Sequence, residues 1–330
     1  MHVMEKPRQV FFTCDHRFID PLRVVVRSLL ENAAPGSPLT VFVAHNGKFA
    51  ETGCREQLDR VVSAYPFAHT VFLDADDILG QNDGVFNSKM NGLSPIIWAG
   101  PLLSELLPED VHGNVVYMDV DMLVTADLEP LYALDLPARG MLAAAAIEGE
   151  RGRFAYLEAC GWPKTVSHYY NNGTLVVDID AYRRERIAQK IIDWYATYHD
   201  RAIATDQDSQ NAVFGDRILP LPPKWNYNDG WVARLPKISP FAKTFRGLPA
   251  IQVLEAVVRP CIIHYINRKP WTFTHRPERG RYHRHMKELG LFDPMLNGET
   301  AAQRLSLLFY DLYYGLIKMY ARVLLAIRRG

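Results

Sequence analysis

The 330-residue chain has no excess of either charge: Lys+Arg and Asp+Glu number 37 each. No global field therefore draws it to nucleic acid. Cysteines are few, at Cys14, Cys54, Cys160 and Cys261. Their wide separation excludes paired metal-ligand spacing, and the expectation is free, buried thiols in a reducing compartment. Residues 1–9 are polar and lack the apolar stretch of a secretory signal, which predicts a cytoplasmic protein. There is no internal repeat and no low-complexity tract. The segment Thr13-Cys14-Asp15-His16-Arg17 contains no glycine. That absence counts against a metal-dependent nucleotidyltransferase, which needs a glycine-rich loop there to cradle phosphate.

What is present is an ordinary globular composition, 48% hydrophobic and 22% charged, with enough apolar material for a sizeable core. Apolar runs at residues 10–13, 39–44, 70–73 and 114–118 read as strands. Helix-period stretches at 21–31, 54–64 and 96–107 alternate with them. That alternation predicts an α/β fold with a mainly parallel mixed sheet flanked by helices, and ligands in such sheets bind beyond the carboxyl ends of the strands. Further strands are expected at 142–147 and 174–177, and helices at 182–195 and 206–214.

Asp119-Val120-Asp121 follows the apolar run Val115-Val116-Tyr117-Met118. Side chains two apart on a strand point the same way, so two carboxylates are presented together, as a hard divalent cation requires. Asp-x-Asp also occurs at Asp74, Asp178 and Asp206. On spacing alone the alternative is a strand ending in solvated acids that cap a turn.

Downstream come Tyr170-Asn171-Asn172-Gly173, Thr205-Asp206-Gln207-Asp208, Trp225-Asn226 and His264-Tyr265-Ile266-Asn267-Arg268-Lys269-Pro270-Trp271. In this order, with Asp119-Val120-Asp121, they resemble glycosyltransferase family 8, the family of bacterial lipopolysaccharide α-galactosyl- and α-glucosyltransferases and the glycogenins. The resemblance implies a GT-A type nucleotide-sugar-binding fold. It also implies a UDP-sugar donor (UDP-glucose or UDP-galactose), Mn²⁺ with Mg²⁺ as the alternative, and retention at the anomeric carbon. It makes Asp119, Asp121 and His264 the metal ligands and Lys269 a second positive charge on the diphosphate. Thr13, Asp15 and Arg17 would line the uridine pocket, with Val120 among the donor contacts. Asn171 would touch the sugar, Asp206 and Gln207 would lie beside the reacting carbon, and Glu148 would fall near the acceptor. Two departures stand out. The usual glycine between His264 and Lys269 is missing and the interval is one residue short. The expected Tyr-x-Arg before the metal motif reads Trp98-Ala99-Gly100, with Lys89 a candidate substitute.

Residues 1–290 are expected to form the transferase domain and 291–330 an amphipathic helical tail. In the tail, Arg304, Asp311, Lys318, Arg322 and Arg329 recur at spacings of seven, seven, four and seven. At about 100° per residue they share one stripe. Charges within the run oppose a membrane-spanning helix. Tyr310, Tyr313, Tyr314, Tyr320 and the terminal Arg328-Arg329 suit an anionic membrane surface; the alternative is packing on the catalytic domain or a second subunit. The reading is a peripheral transferase on the inner face of the cell membrane, modifying lipopolysaccharide core or another envelope glycan. Its non-enzymatic competitor is a sugar-nucleotide-binding protein without transferase activity.

Overall fold

The computed structural model describes residues 8–34, 38–86, 94–228, 230, 243–245, 247–266, 269–272, 275–294 and 301–329. Its strands are β1 (Arg8–Cys14), β2 (Leu39–His45), β3 (Ala68–Asp74), β4 (Asn114–Met118), β5 (Met122–Val124), β6 (Ala143–Glu150), β7 (His168–Asp178), β8 (Ile218–Leu221), β9 (Tyr227–Asn228), β10 (Thr244–Phe245), β11 (Leu248–Pro249) and β12 (Ile262–His264). The chain divides into two compact units. The first runs to Ile19 and takes in Ala34–Val120 and Leu128–Leu221; the second holds Asp20–Ala33, Asp121–Asp127 and Pro222 onward.

The first unit is built on a seven-stranded sheet in the order β3-β2-β1-β4-β7-β6-β8. β1 pairs in parallel with β2 and β4, β2 with β3, and β6 with β8. β7 runs antiparallel to both β4 and β6. The inner strands are apolar throughout because helices cover both sheet faces: Val10, Phe12, Val41, Val43, Val115 and Val116 have no exposed surface. β3 lies at the sheet edge and its residues are largely half-buried.

Two expected helices are broken, each for a local reason. The 96–107 stretch is a 3-10 turn, Pro95–Ala99, followed by the short helix Leu103–Leu106. Pro101 lacks the N–H that a continuous helix needs. Gly100 sits so close to Tyr117 that a Cβ would meet its ring at 2.8 Å. The 182–195 helix is two segments, Ile179–Arg184 and Ile187–Tyr198, separated where Arg186 takes φ +53°. β7 is longer than the expected 174–177 strand. Its pairing with β6 jumps from Ala145↔Leu175 to Ala146↔Asn171, so residues 172–174 bulge out of the ladder.

The second unit holds a three-stranded sheet, β5-β12-β9. β12 is antiparallel to β5 with His264 opposite Met122, and parallel to β9. Helix Ile19–Asn32 is tied to β5 by the Val124 N–H, which donates to Ser28 Oγ at 3.0 Å. Helix Ala250–Val258 packs against the 29-residue C-terminal helix Ala301–Arg329. That helix buries Leu307, Tyr314, Ile317, Ala321, Leu324 and Leu325. Among the described residues no helix is long and apolar enough to cross a membrane.

Candidate active site

The boundary between the units falls inside Asp119-Val120-Asp121, so the two carboxylates are linked covalently through a single residue. In the second unit the register of β5 and β12 places His264 beside Asp121. The Tyr265 N–H donates to the Asp121 carbonyl at 3.0 Å, and His264 Nε2 stands 3.3 Å from Asp121 Oδ1. His264 Nδ1 lies 3.0 Å from Asn226 Oδ1. A carbonyl oxygen only accepts, so Nδ1 carries a proton, and Nε2 is the ring atom turned to Asp121. Asp121 Oδ1 is buried and accepts no hydrogen bond. A carboxylate oxygen and an imidazole nitrogen thus converge at 3.3 Å, as two ligands of one cation would, and an orienting partner behind the imidazole is what metal-binding histidines carry. The donor set fits a divalent ion of intermediate softness.

Lys269 Nζ is hydrogen-bonded to Asp121 Oδ2 and also donates to the Tyr265 and Ile266 carbonyls at 2.8 and 3.1 Å. Burial acts to raise the Asp121 pKa, but the His264 and Lys269 side chains against it overcome that and hold the group far below the carboxylate range. The short interval between His264 and Lys269 thus turns the ammonium onto the motif carboxylate.

The first unit collects the remaining carboxylates. Tyr117 donates to Asp119 Oδ1 at 2.8 Å, and the Asp119 N–H bonds the Gly173 carbonyl in the β7 bulge at 2.9 Å. Asn171 Nδ2 and Gln207 Nε2 both donate to Glu148 Oε2, at 3.0 and 3.2 Å. Gln207 Oε1 accepts from the Asn172 N–H at 3.1 Å. Asn171, Gln207 and Glu148 therefore form one network. Asp206 stands at the start of helix Thr205–Phe214. Burial, and then the charge of Asp119, raise its pKa to about 7.

At the ends of β1 and β2 a cleft of about 500 Å³ is lined by Asp15, Arg17, Asn46, Lys48, Asp76 and Ser94. Asp15 caps the turn His16–Phe18 by accepting from the Arg17 N–H at 2.9 Å, and its carboxylate pairs with the Arg17 guanidinium at 2.6 Å. Burial pushes the Asp15 pKa up, yet the hydrogen bonds from Arg17 and Ser94 outweigh it and leave it lowered. Thr13 is half-buried, two residues before Asp15. Lys89 lies outside the described residues.

The Glycosyl transferase family 8 profile matches residues 9–275. The chain belongs to glycosyl transferase family 8. General stress protein A of Bacillus subtilis is 28% identical to this family 8 chain over 188 residues, 56% of the chain and 62% of the relative. Glycosyltransferase GlyE of Streptococcus pneumoniae is 27% identical over 188 residues, 56% and 39% of the two. The chain thus spans under two thirds of these relatives. The galactosyltransferase LgtC, crystallised with donor and acceptor sugar analogs, superposes with a TM-score of 0.67 at 20% identity, covering 88% of this chain and 100% of that one. The bifunctional glycosyltransferase WbbM gives 0.68 at 19%, covering 87% and 52%. At these identities the structural likeness establishes the fold, which is of the GT-A type.

Two residues of this family 8 site were not singled out from sequence as site residues. Tyr117 had a signal: it stands two before Asp119 on the same strand face. Asn226 had one too, as part of the Trp225-Asn226 motif, but no local pattern tells that its side chain will stand behind an imidazole 38 residues later. Three arginines that follow Lys269 in the chain are held in ion pairs. Arg279 pairs with Asp311, Arg281 with Glu278, and Arg284 with Glu31 and Glu288.

The tail charges share their stripe, but Asp311, Lys318 and Arg329 pair with Arg279, Glu278 and Glu255. Tyr314 is buried, with its hydroxyl 3.3 Å from Glu278 Oε1. It faces the protein rather than a membrane because its helix face packs inward.

Proposed function

We propose that this family 8 chain is a retaining hexosyltransferase. It moves glucose or galactose from the UDP-sugar to a glycan acceptor of the cell envelope, lipopolysaccharide core or a lipid-linked saccharide. Asp119, Asp121 and His264 would hold Mn²⁺, with Mg²⁺ the alternative. The observation that carries the reading is His264 Nε2, with Asn226 behind its ring, converging at 3.3 Å on the buried Asp121 Oδ1. A cation bound there supplies Lewis-acid stabilisation of the charge developing on the departing diphosphate. Lys269, already at Asp121, adds a positive charge on the same side.

Asp206 presents a half-buried carboxyl to the sugar hydroxyls. Gln207 is fixed at both ends of its amide, by Asn172 and Glu148, and its oxygen keeps a second lone pair for an electron-poor anomeric carbon. Asn171 holds the Glu148 carboxylate on the acceptor side. Thr13, Asp15, Arg17 and Val120 contact the nucleotide, and the cleft lined by Asp15 and Arg17 has room for it. The leaving phosphate takes the acceptor proton on the front face, so no protein nucleophile is required.

Residues 1–290 carry transfer, and 291–330 meet the inner face of the cell membrane. Leu305, Leu308, Leu312, Leu316, Met319 and Val323 are all more than half exposed along one stripe of the tail helix, with Arg304 and Arg322 also exposed. An apolar face rimmed by arginines is the chemistry of an anionic lipid surface.

Incubation of the full chain with each UDP-sugar and Mn²⁺ tests the proposal: slow UDP release supports it. Binding without release supports instead a sugar-nucleotide-binding protein, the reading favoured by the short His264 to Lys269 interval.

A further inference from the structure

Asp208 has no exposed surface, yet its carboxylate is satisfied by four donors from three parts of the first unit. Oδ1 accepts from Tyr156 at 2.8 Å and Tyr169 at 2.6 Å. Oδ2 accepts from the N–H groups of Ile203 at 2.7 Å and Ala204 at 2.9 Å. Tyr169 belongs to β7 and Tyr156 to the 3-10 segment Arg151–Cys160. One carboxylate thus fastens the turn before helix Thr205–Phe214 to the sheet and to a neighbouring segment.

The fastened turn is strained. Thr205 takes φ +26°, a region that costs a β-branched residue on the order of 1–3 kcal/mol and persists only where the surroundings impose it. Asp208 grips the two residues immediately before Thr205. Asp206 and Gln207 lie between the strained residue and the anchor, so their backbone direction is set by this clamp.

We propose that Asp208, with Tyr156 and Tyr169, is a positioning residue for sugar transfer. It touches no substrate; it keeps Thr205 in its strained conformation and so aims Asp206 and Gln207 at the donor sugar. The inference rests on the transferase reading above. Positioning acts on the reacting carbon rather than on the nucleotide, so its loss should appear in turnover and leave UDP affinity alone. A misplacement of about 1 Å costs on the order of 100-fold in rate.

Asp208→Asn is the first variant. Its amide oxygen can keep both backbone N–H groups while the NH₂ faces the two phenols, whose hydroxyls can turn to accept. The expected result is a fall in kcat of about 10- to 100-fold, with KM for the UDP-sugar and Kd for UDP within about threefold. Tyr156→Phe and Tyr169→Phe, which each remove one hydroxyl, should lower kcat less and in the same pattern. They carry the test if Asp208→Asn does not fold. A folded Asp208→Asn with kcat within about twofold of the parent overturns the proposal. So does a loss shared equally by UDP binding and turnover, which a merely structural role produces. If the parent chain releases no UDP from any donor, the transferase reading fails and this inference falls with it.

Discussion

Asp121 and Asp206 are carboxylates in low-dielectric surroundings, and they sit at opposite ends of the pKa scale. Asp121, in the second unit, has an imidazole and an ammonium against it, and its pKa is driven far down. Asp206, in the first, has Asp119 as its principal charged neighbour, and its pKa is driven up to about 7. Burial acts alike on both; the sign of the nearest charge decides the outcome. The second unit is thus arranged to hold a fixed negative charge beside a cation. The first keeps a carboxyl that faces a like charge and is only partly offset by the Thr205 hydroxyl, an arrangement that costs stability and is found where a group is reserved for chemistry.

The largest effect should come from breaking the low-pKa side. Asp121→Asn removes a ligand charge and strands Lys269, and UDP release should fall by at least about 1,000-fold. Substantial residual turnover would refute metal ligation by Asp121. Asn226→Ala comes next. It leaves every proposed ligand in place but frees the imidazole to turn, so the Mn²⁺ concentration giving half-maximal activity should rise about 10- to 100-fold. An unchanged Mn²⁺ requirement would mean that Asn226 does not orient His264.

Outside the two clusters, Leu308→Glu with Leu312→Glu places charge on the exposed stripe of the tail helix. Sedimentation with phosphatidylglycerol vesicles should drop at least about tenfold, with donor hydrolysis unchanged. Retained vesicle binding would rule out the stripe as the membrane contact. Substitution is preferable to deletion here, because Leu307, Tyr314 and Ile317 of the same helix are buried and deletion would open the second unit.

The smallest effect sharpens the high-pKa side. Asp206 binds its proton more tightly when folded, at about 7, than in the unfolded chain, near 3.8. Its contribution is therefore fully present below pH 4 and is lost as pH rises through 7. Asp206→Asn should raise the melting temperature of metal-free protein at pH 8 and change it little at pH 4. After a discount for partial solvent access the gain is roughly 2 kcal/mol, or about 3 °C. A lower melting temperature at pH 8 would contradict the raised pKa.

Much of the first unit was legible because long apolar runs and helix periods report burial directly. Val10–Thr13 and Val115–Met118 could hardly be anything but inner strands. Asp119-Val120-Asp121 and His264 were legible through their order along the chain. The second sheet was not, because β5, β9 and β12 are two or three residues long, too short for a period to show. The target of Lys269 was hidden as well. Residue types and spacing say that an ammonium arrives near the site, but the local backbone path decides that it settles on Asp121. The bulge in β7 was hidden for a related reason: the apolar pattern marks only residues 174–177, while the pairing on either side of Asn172-Gly173 makes them a deformation within a longer strand.

The central claim is that Asp121 and His264 meet around a cation. Manganese paramagnetic resonance in the presence of UDP tests it most directly, by following loss of the free-ion signal as chain is added. The account predicts one Mn²⁺ taken up per chain by the parent protein and a large loss of uptake in Asp121→Asn. Equal uptake by the two proteins, or none by the parent, would contradict it.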